Sequence, residues 1–423
     1  MKLSHLSLAM IASVSIATIS HAAGLERSQQ PILPLFIEGN YAEVNYAYVN
    51  PDLKGTDALG NKVPNMMEDY GMVGAVAKIA PTKNSAVALF YNGPWGVDSS
   101  YPTGNMFNNQ YGATEAHVKT ESIGIVAAGK PTDRNIWVYG GVEHQSISGN
   151  VKGATPVGLS KVLERANVSQ DAYQQLIKGQ KAGVLNAEQA GQLKALQTSS
   201  LAPTLYNLDF DKETTWVPMV GVAFEKPEIA MRTAITYRAP AKYSVHGIET
   251  ISSPLGTSDE THSLTDVTFP QSVSVDFQTG LSRKHQLLGM VNARWVEWSK
   301  FEVSPPLSTQ LRNGEPLAEY ADDQYSVEVA VAKQFTPRFA AEIRAAYDSG
   351  TGQPLSLLGP YNAVTSLAIG AEYDLTDQLT VGGGAQYLHI EGGEIPSDDP
   401  KTPALSMEDS DGYALGMKVG YHF

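Results

Sequence analysis

The chain has no cysteine among its 423 residues, so neither a disulfide nor a thiolate metal site holds it together. After residue 22 no run of eighteen apolar residues occurs, which excludes membrane-spanning helices. Only 17% of the residues are charged, and 44 acids against 30 bases leave a formal net charge of −14. That balance argues against nucleic acid as a partner. The nine histidines are scattered, without the close spacing of a zinc site. No nucleophile arrangement or phosphate-cradling loop stands out, because Gly382-Gly383-Gly384 follows no strand-to-helix turn. No catalytic residue, metal or cofactor is therefore expected, and the chain does not read as an enzyme.

What is present begins with an export pattern. Lys2 and His5 give a short polar start, Leu6 to Ile19 is apolar, and Ser20-His21-Ala22 offers a cleavage point. Residues 1–22 thus read as a signal peptide, with the mature chain starting at Ala23.

The clearest periodicity lies at the end. Tyr413, Leu415, Met417, Val419, Tyr421 and Phe423 alternate with Ala414, Gly416, Lys418, Gly420 and His422. A two-residue repeat is a strand with one apolar face. Val273, Val275 and Phe277 likewise oppose Ser274, Asp276 and Gln278, and Val327, Val329 and Val331 oppose Glu328 and two alanines. In lipid, a face carrying Arg, Asp, Glu and Gln must line a lumen.

Fourteen such segments run from 40–50 to 410–423. Alternate links are tiny: Pro81-Thr82-Lys83, Pro131-Thr132-Asp133, Lys226-Pro227, Lys284-His285, Thr336-Pro337 and Thr376-Asp377. The others are long. This asymmetry predicts an all-β fold, a transmembrane antiparallel β-barrel of about fourteen strands spanning residues 40–423. It would cross the outer membrane many times, with short turns in the periplasm, outer-membrane lipid around it and a monomeric state. Residues 158–198, between the fifth and sixth strands, read as a helical extracellular insert. Tyr173, Leu176 and Ile177 form one stripe, Val184, Leu193 and Leu196 another, and Asn186 with Gln189 forms a capping box. Such an insert either covers the mouth or is a surface excursion.

A barrel this wide encloses more space than its wall side chains fill. By alternation Arg232, Arg238 and Arg294 face the lumen, and Trp298 shares the parity of Arg294. They are candidate contacts for a carboxylate head and an apolar tail. The competing reading of the arginines is charge balance against Asp276 and Glu328. Trp137, Tyr387, Tyr421 and Phe423 read as interfacial girdles. Gly93-Pro94 ends strand pairing early, because proline lacks the amide hydrogen a ladder needs. With Phe90 and Trp95 it marks a candidate opening in the wall.

Several ordered motifs carry a resemblance. They are Gly39-Asn40-Tyr41-Ala42-Glu43, Tyr48-Val49-Asn50-Pro51-Asp52, Gly93-Pro94-Trp95-Gly96, Tyr101-Pro102 and Thr114-Glu115-Ala116. Further on come Ile235-Thr236-Tyr237-Arg238-Ala239-Pro240, Pro270-Gln271-Ser272 and Trp295-Val296-Glu297-Trp298-Ser299. In order and spacing they resemble the FadL family of outer-membrane transporters for long-chain fatty acids and related hydrophobic compounds. The resemblance implies an N-terminal hatch, capture from outside, passage without an energy source and lateral release near the third strand. Phe90, Gly93, Pro94 and Trp95 would then flank that opening. The implied partner is a hydrophobic small molecule such as a fatty acid or an aromatic hydrocarbon. The sequence departs from the family at its start: only residues 23–39 precede the first strand, and the family's Asn-Pro-Ala element is missing. Arg27, Ser28, Gln29 and Gln30 are expected to form a reduced plug. A general water-filled diffusion pore and a structural or adhesive barrel are the competing functions.

Overall fold

The computed structural model describes residues 25–29, 32–109, 112–132, 135–156, 163, 166–201, 203–252, 258–312, 314–359, 362–397 and 403–423. The expected signal peptide and Gln30 of the plug lie outside the described residues.

Seventeen ladder segments form one closed antiparallel barrel, and three pairs of them are single strands interrupted at a proline. The fourteen strands are β1 (Tyr41–Pro51), β2 (Tyr70–Thr82), β3 (Ser85–Asn92 with Gly96–Ser100), β4 (Glu115–Gly129) and β5 (Ile136–Pro156). Next come β6 (Pro203–Lys226), β7 (Met231–Arg238 with Ala241–Ser252), β8 (Ser258–Phe269 with Ser272–Ser282) and β9 (Leu287–Val296). The ring continues through β10 (Gln324–Thr336), β11 (Phe339–Asp348), β12 (Val364–Asp374), β13 (Leu379–Ile390) and β14 (Ser410–His422). β1 closes it by pairing with both β2 and β14, Tyr41 lying opposite His422 and Pro51 opposite Gly412. Closure removes the sheet's free edges except at the β3 break, as a sheet in hydrocarbon requires.

Side-chain alternation sets which face meets lipid. Val327, Val329 and Val331 of β10 stand outward, while Ala330 and Ala332 are buried inside. Tyr413, Leu415, Met417, Val419, Tyr421 and Phe423 all point out, as their period demands. Tyr387 is outward too, and Tyr421 and Phe423 stack at the short-turn rim. Trp137 departs from the expected girdle. Val138 takes the outward position, so Trp137 turns in, where its Nε1–H donates to Glu225 Oε2 at 2.6 Å. A buried indole N–H needs such a partner.

The hairpin of β5 and β6 climbs well above the bilayer, paired from Ile136–Phe224 up to Pro156–Pro203. Both strands run longer than the expected segments. Their apolar face there, with Ile147, Val151, Tyr206 and Leu208, is buried against the outer loops, while Ser148, Asn150, Asn207 and Asp209 take the other face. At its top sit α1 (Gln170–Ala182) and α2 (Ala187–Leu201). Ser169 caps α1 by accepting from the Ala172 amide, and Gly183 ends it at φ 67°. Asn186 and Gln189 make the expected capping box in both directions, at 2.8 and 3.1 Å. Leu163, Tyr173, Leu176, Leu193 and Leu196 bury one another. Val184 is not part of that stripe: it lies between the helices and is 73% exposed.

Candidate functional site: an aromatic cluster at an interrupted wall

The three interrupted strands meet inside the barrel. β3 breaks at Gly93-Pro94-Trp95, β7 at Ala239-Pro240 and β8 at Pro270-Gln271. Each proline withholds an amide hydrogen from the ladder, and the chain leaves the sheet there. Trp95 is carried across the lumen, is 1% exposed and stacks on Phe269, which immediately precedes the β8 break. Trp298 meets Trp95 edge-on at 5.4 Å, and Phe301 and Tyr320 extend the group. Apolar side chains from the outer loops, among them Leu53, Met66, Phe107, Leu355 and Leu405, close over the cluster from above. Burial pushes the Tyr101 and Tyr320 hydroxyls well above their ordinary pKa, and neither has a hydrogen-bond partner among the described residues.

At the β3 break the wall loses a ladder. β2 and β3 pair from Thr82–Ser85 up to Ala75–Tyr91; beyond that, among the described residues, the next bridge is Met67–Ser99, made by the chain just before β2. The N-terminal segment takes the vacated edge. Arg27 N–H donates to Pro94 O at 2.8 Å, and Gly96 N–H donates to Leu25 O at 2.7 Å. The Ser28 hydroxyl donates to Gly93 O and accepts from Asn92 Nδ2, which also donates to Gln29 O. The Arg27 guanidinium lies over the Tyr70 ring at 4.3 Å and pairs with Asp98 at 2.7 Å. Glycine is required at position 96, where a Cβ would stand 2.7 Å from Val118 O and 2.8 Å from Arg27 Nε.

Below the cluster the lumen is polar. A cavity of about 780 Å³ runs from the short-turn rim at Lys83, Lys130 and Pro227 up to Arg238 and Arg294. The short 3-10 turn Leu33–Phe36 lies across it, with Phe36 against Trp137 and Tyr139 and the Arg232 guanidinium over its ring. Lys78 Nζ donates to the carbonyls of Ile37 and Gly39, tying the segment to β2. Wall ion pairs fill the remaining circumference. Arg344 pairs with Glu328 and Glu342, and Lys418 with Glu372 and Glu43.

The family described as "Outer membrane protein transport protein (OMPP1/FadL/TodX)" matches residues 28–423. The chain belongs to this family. Its fold is similar to that of a FadL homologue from Pseudomonas aeruginosa, with a TM-score of 0.71 and 14% identity over 98% of each chain. It is also similar to the toluene transporter TodX of Pseudomonas putida, with a TM-score of 0.62 and 12% identity over 98% of each chain. The Ralstonia pickettii toluene transporter TbuX follows at 0.59 and 13% identity, covering 91% of this chain and 90% of that one. Comparison of the sequence with curated proteins gave no match. Membership makes this an outer-membrane transport barrel for hydrophobic compounds. The transport activity of this family and fold is that of channels, not enzymes.

The FadL-like motifs now have a physical meaning: three of them are the proline interruptions themselves. Arg232, Arg238 and Arg294 are all buried in the lumen, but they do not converge on one point. Arg232 donates to Gln278 at 2.8 Å near the short-turn rim. Arg238 is forked on Glu143 at 3.2 and 3.3 Å and lies over the Trp95 ring. Arg294 is forked on Glu26, at 2.5 and 3.3 Å, and reaches Ser274. Trp298 is not on the strand that parity assumed, because β9 ends at Val296. It sits on the turn Trp298–Lys300, fully buried, with Nε1–H donating to Gln324 at 2.6 Å. Phe90 points inward below the break, its ring lying where a Cβ on Gly124 would stand. Sequence reasoning missed Phe301 and Tyr320, which lie on loops where no period operates, and Phe269, whose parity changes face at the Pro270 break. It also missed Glu26 and Glu143. Glu143 was legible as an acid at lumen parity on β5.

Proposed function

We propose that this barrel takes up hydrophobic small molecules passively, captures them from the extracellular side and releases them sideways into the membrane at the β3 interruption. The observation that carries this reading is the pairing of an aromatic cluster with a missing stretch of β2–β3 ladder at one height. An apolar molecule gains roughly 0.8 kcal/mol per CH₂ on leaving water for such a cluster. Below it the path is crowded by paired charges, which an apolar molecule crosses at a cost. The sideways path to lipid avoids them. Phe90, Gly93, Pro94 and Trp95 flank this exit. Arg27, Ser28 and Gln29, with Gln30, act as a short plug lying along it.

The organisation that goes with this function has residues 1–22 as a removed export signal, 23–39 as the reduced hatch and 40–423 as the barrel. The helical insert stands on the extracellular side, and one chain suffices as a monomer. The likeness to toluene transporters supports aromatic hydrocarbons as one ligand class, and the resemblance to the FadL family supports fatty acids as another. The polar lower cavity favours one competing reading, a diffusion pore for water-soluble solutes. Binding of radiolabelled oleate and toluene to the detergent-purified barrel, together with conductance in planar bilayers, separates the two. Saturable binding with no ohmic conductance is expected. Ohmic conductance without binding of either compound overturns the proposal.

A further inference from the structure

The chain carries a net charge of −14, yet its short-turn rim is basic in one sector. Residues 226–230, 282–286 and 333–338, at the β6–β7, β8–β9 and β10–β11 turns, hold five cations and one acid, Glu228. The three turns are neighbours. Arg232 of β7 lies opposite Gln278 of β8, and Leu287 of β9 lies opposite Lys333 of β10. Gln334 N–H donates to Gln286 O at 3.1 Å. Lys226, Arg283 and Lys284 are exposed and have no ion-pair partner among the described residues. Arg338 meets Asp377 at 3.5 Å with both side chains exposed, a contact worth little in water.

Lys333 decides what this sector faces. It continues the outward row Val327, Val329 and Val331 of β10 and precedes Phe335, so it stands on the lipid face with an aromatic ring between it and the turn. Its Nζ lies over the Phe335 ring at 4.8 Å, and Phe335 packs on Phe339 at 5.8 Å. A lysine on the lipid face is costly unless its ammonium reaches head groups. The outer girdle is built differently. There Tyr48 donates to Asp69, Tyr387 to Asp411 and Trp295 Nε1 to Asp323, so its polar ends are backed by carboxylates. The two girdles thus present opposite charge to the two leaflets.

We propose that the sector formed by these three turns is a binding site for an anionic phospholipid of the periplasmic leaflet. The phosphodiester lies among Arg283, Lys284 and Lys333. Its acyl chains run along Leu281, Val331 and Phe335, which are 56%, 38% and 55% exposed. Arginine and lysine donate to the phosphate oxygens, and the phosphate supplies the counter-charge that the described residues do not give Lys333. Lys226 and Arg338 flank the head group and favour a lipid with no ammonium of its own. A zwitterionic head brings a further cation into the sector and gains less. β10 lies half-way round the ring of fourteen strands from β3, so a lipid held here stays clear of the β3 interruption. The site is independent of what the lumen carries.

The test is native mass spectrometry of the full-length barrel in detergent, titrated with phosphatidylglycerol and phosphatidylethanolamine of identical acyl chains. Heat-modifiable gel mobility verifies that each variant is folded. The unaltered barrel should prefer phosphatidylglycerol by roughly fivefold or more, the scale of one cation at an anionic head group. Arg283→Gln, Lys284→Gln and Lys333→Gln together should bring that preference to unity. Lys54→Gln, Lys62→Gln and Lys212→Gln, on the extracellular side, remove the same charge and should leave it intact. A barrel without the preference, a rim variant that keeps it, or an equal loss in both triple variants overturns the proposal. Inorganic phosphate at the lipid's concentration should not displace the lipid; displacement would assign the cations to free phosphate and overturn the lipid site.

Discussion

Trp95 stacks on Phe269 with ring centroids 5.4 Å apart and planes 13° from parallel. One residue lies in the proline break of β3 and the other beside the proline break of β8, on far sides of the barrel. The contact joins two wall defects across the lumen and gives the cluster its shape. Each defect alone is a loss of backbone pairing, and together they make an apolar site inside a polar barrel. Trp95→Ala should therefore destabilise the protein by about 3–5 kcal/mol, as for other large-to-small changes in packed sites. It should also weaken hydrophobic ligands of every kind. Thermal unfolding in detergent and ligand titration check the two effects separately.

The Arg238–Glu143 pair is buried in the wall, so its loss should show in stability. Arg238→Ala strands the buried Glu143 carboxylate and costs about 3–5 kcal/mol. Arg238→Leu with Glu143→Leu should recover most of that loss, since no unpaired charge remains. Unfolding midpoints of the single and double variants give the coupling. A double variant as unstable as Arg238→Ala would show that the two side chains contribute separately.

How far the sequence could be read follows from where a two-residue period operates. It operates within the bilayer, so β10 and β14 are legible residue by residue, and so are the inward arginines. Above the bilayer the period persists but its meaning changes: Asn150 and Asp209 lie opposite each other on one face, while Val151 and Leu208 on the other pack against loops and not against lipid. The period fails at the proline breaks. The parity of Trp298 belongs to a strand that has already ended, and Phe269 shares the buried parity of Thr265 and Val267, which becomes the outward parity of Phe277 beyond the break. Trp137 misleads because its aromatic character suggests a girdle while its position on β5 points inward. The Glu26–Arg294 pair spans 268 residues and leaves no local pattern at all.

The lipid face gives a prediction independent of function. Ile369 lies mid-strand on β12, opposite Ile343 and Ala385, and is 62% exposed toward lipid. Ile369→Arg should cost about 2–4 kcal/mol of folding free energy in bilayers. Reversible urea titration into lipid vesicles measures it. No cost there would place Ile369 away from hydrocarbon.

Acid should loosen the outer loops late. Burial pulls the Asp57 carboxyl upward, but hydrogen bonds from Asn61, Met106 N–H and Leu59 N–H outweigh it and hold the group below its usual range. A depressed value in the folded state means that its stabilisation is complete above the ordinary carboxylate range of about 3.9 and lost as pH falls through the lower folded value. Hydrogen exchange in residues 52–69 and 101–109 should thus be governed by the same opening equilibrium at pH 7 and pH 5. Asp57→Asn should remove the low-pH transition, and its persistence would assign it to another group.

The central claim is that hydrophobic compounds leave through the wall at β3, and straightening that strand tests it most directly. A Cβ at position 93 would stand 3.0 Å from Thr120 O, and a residue other than proline at 94 restores a ladder donor. Gly93→Val with Pro94→Val should favour continued β2–β3 pairing. The measurement is uptake of radiolabelled oleate and toluene by cells carrying this variant, taken beside binding to the purified protein. With lateral release through β3, uptake should fall to the level of cells without the barrel while binding persists. Uptake at the wild-type rate through a straightened β3 would contradict that exit.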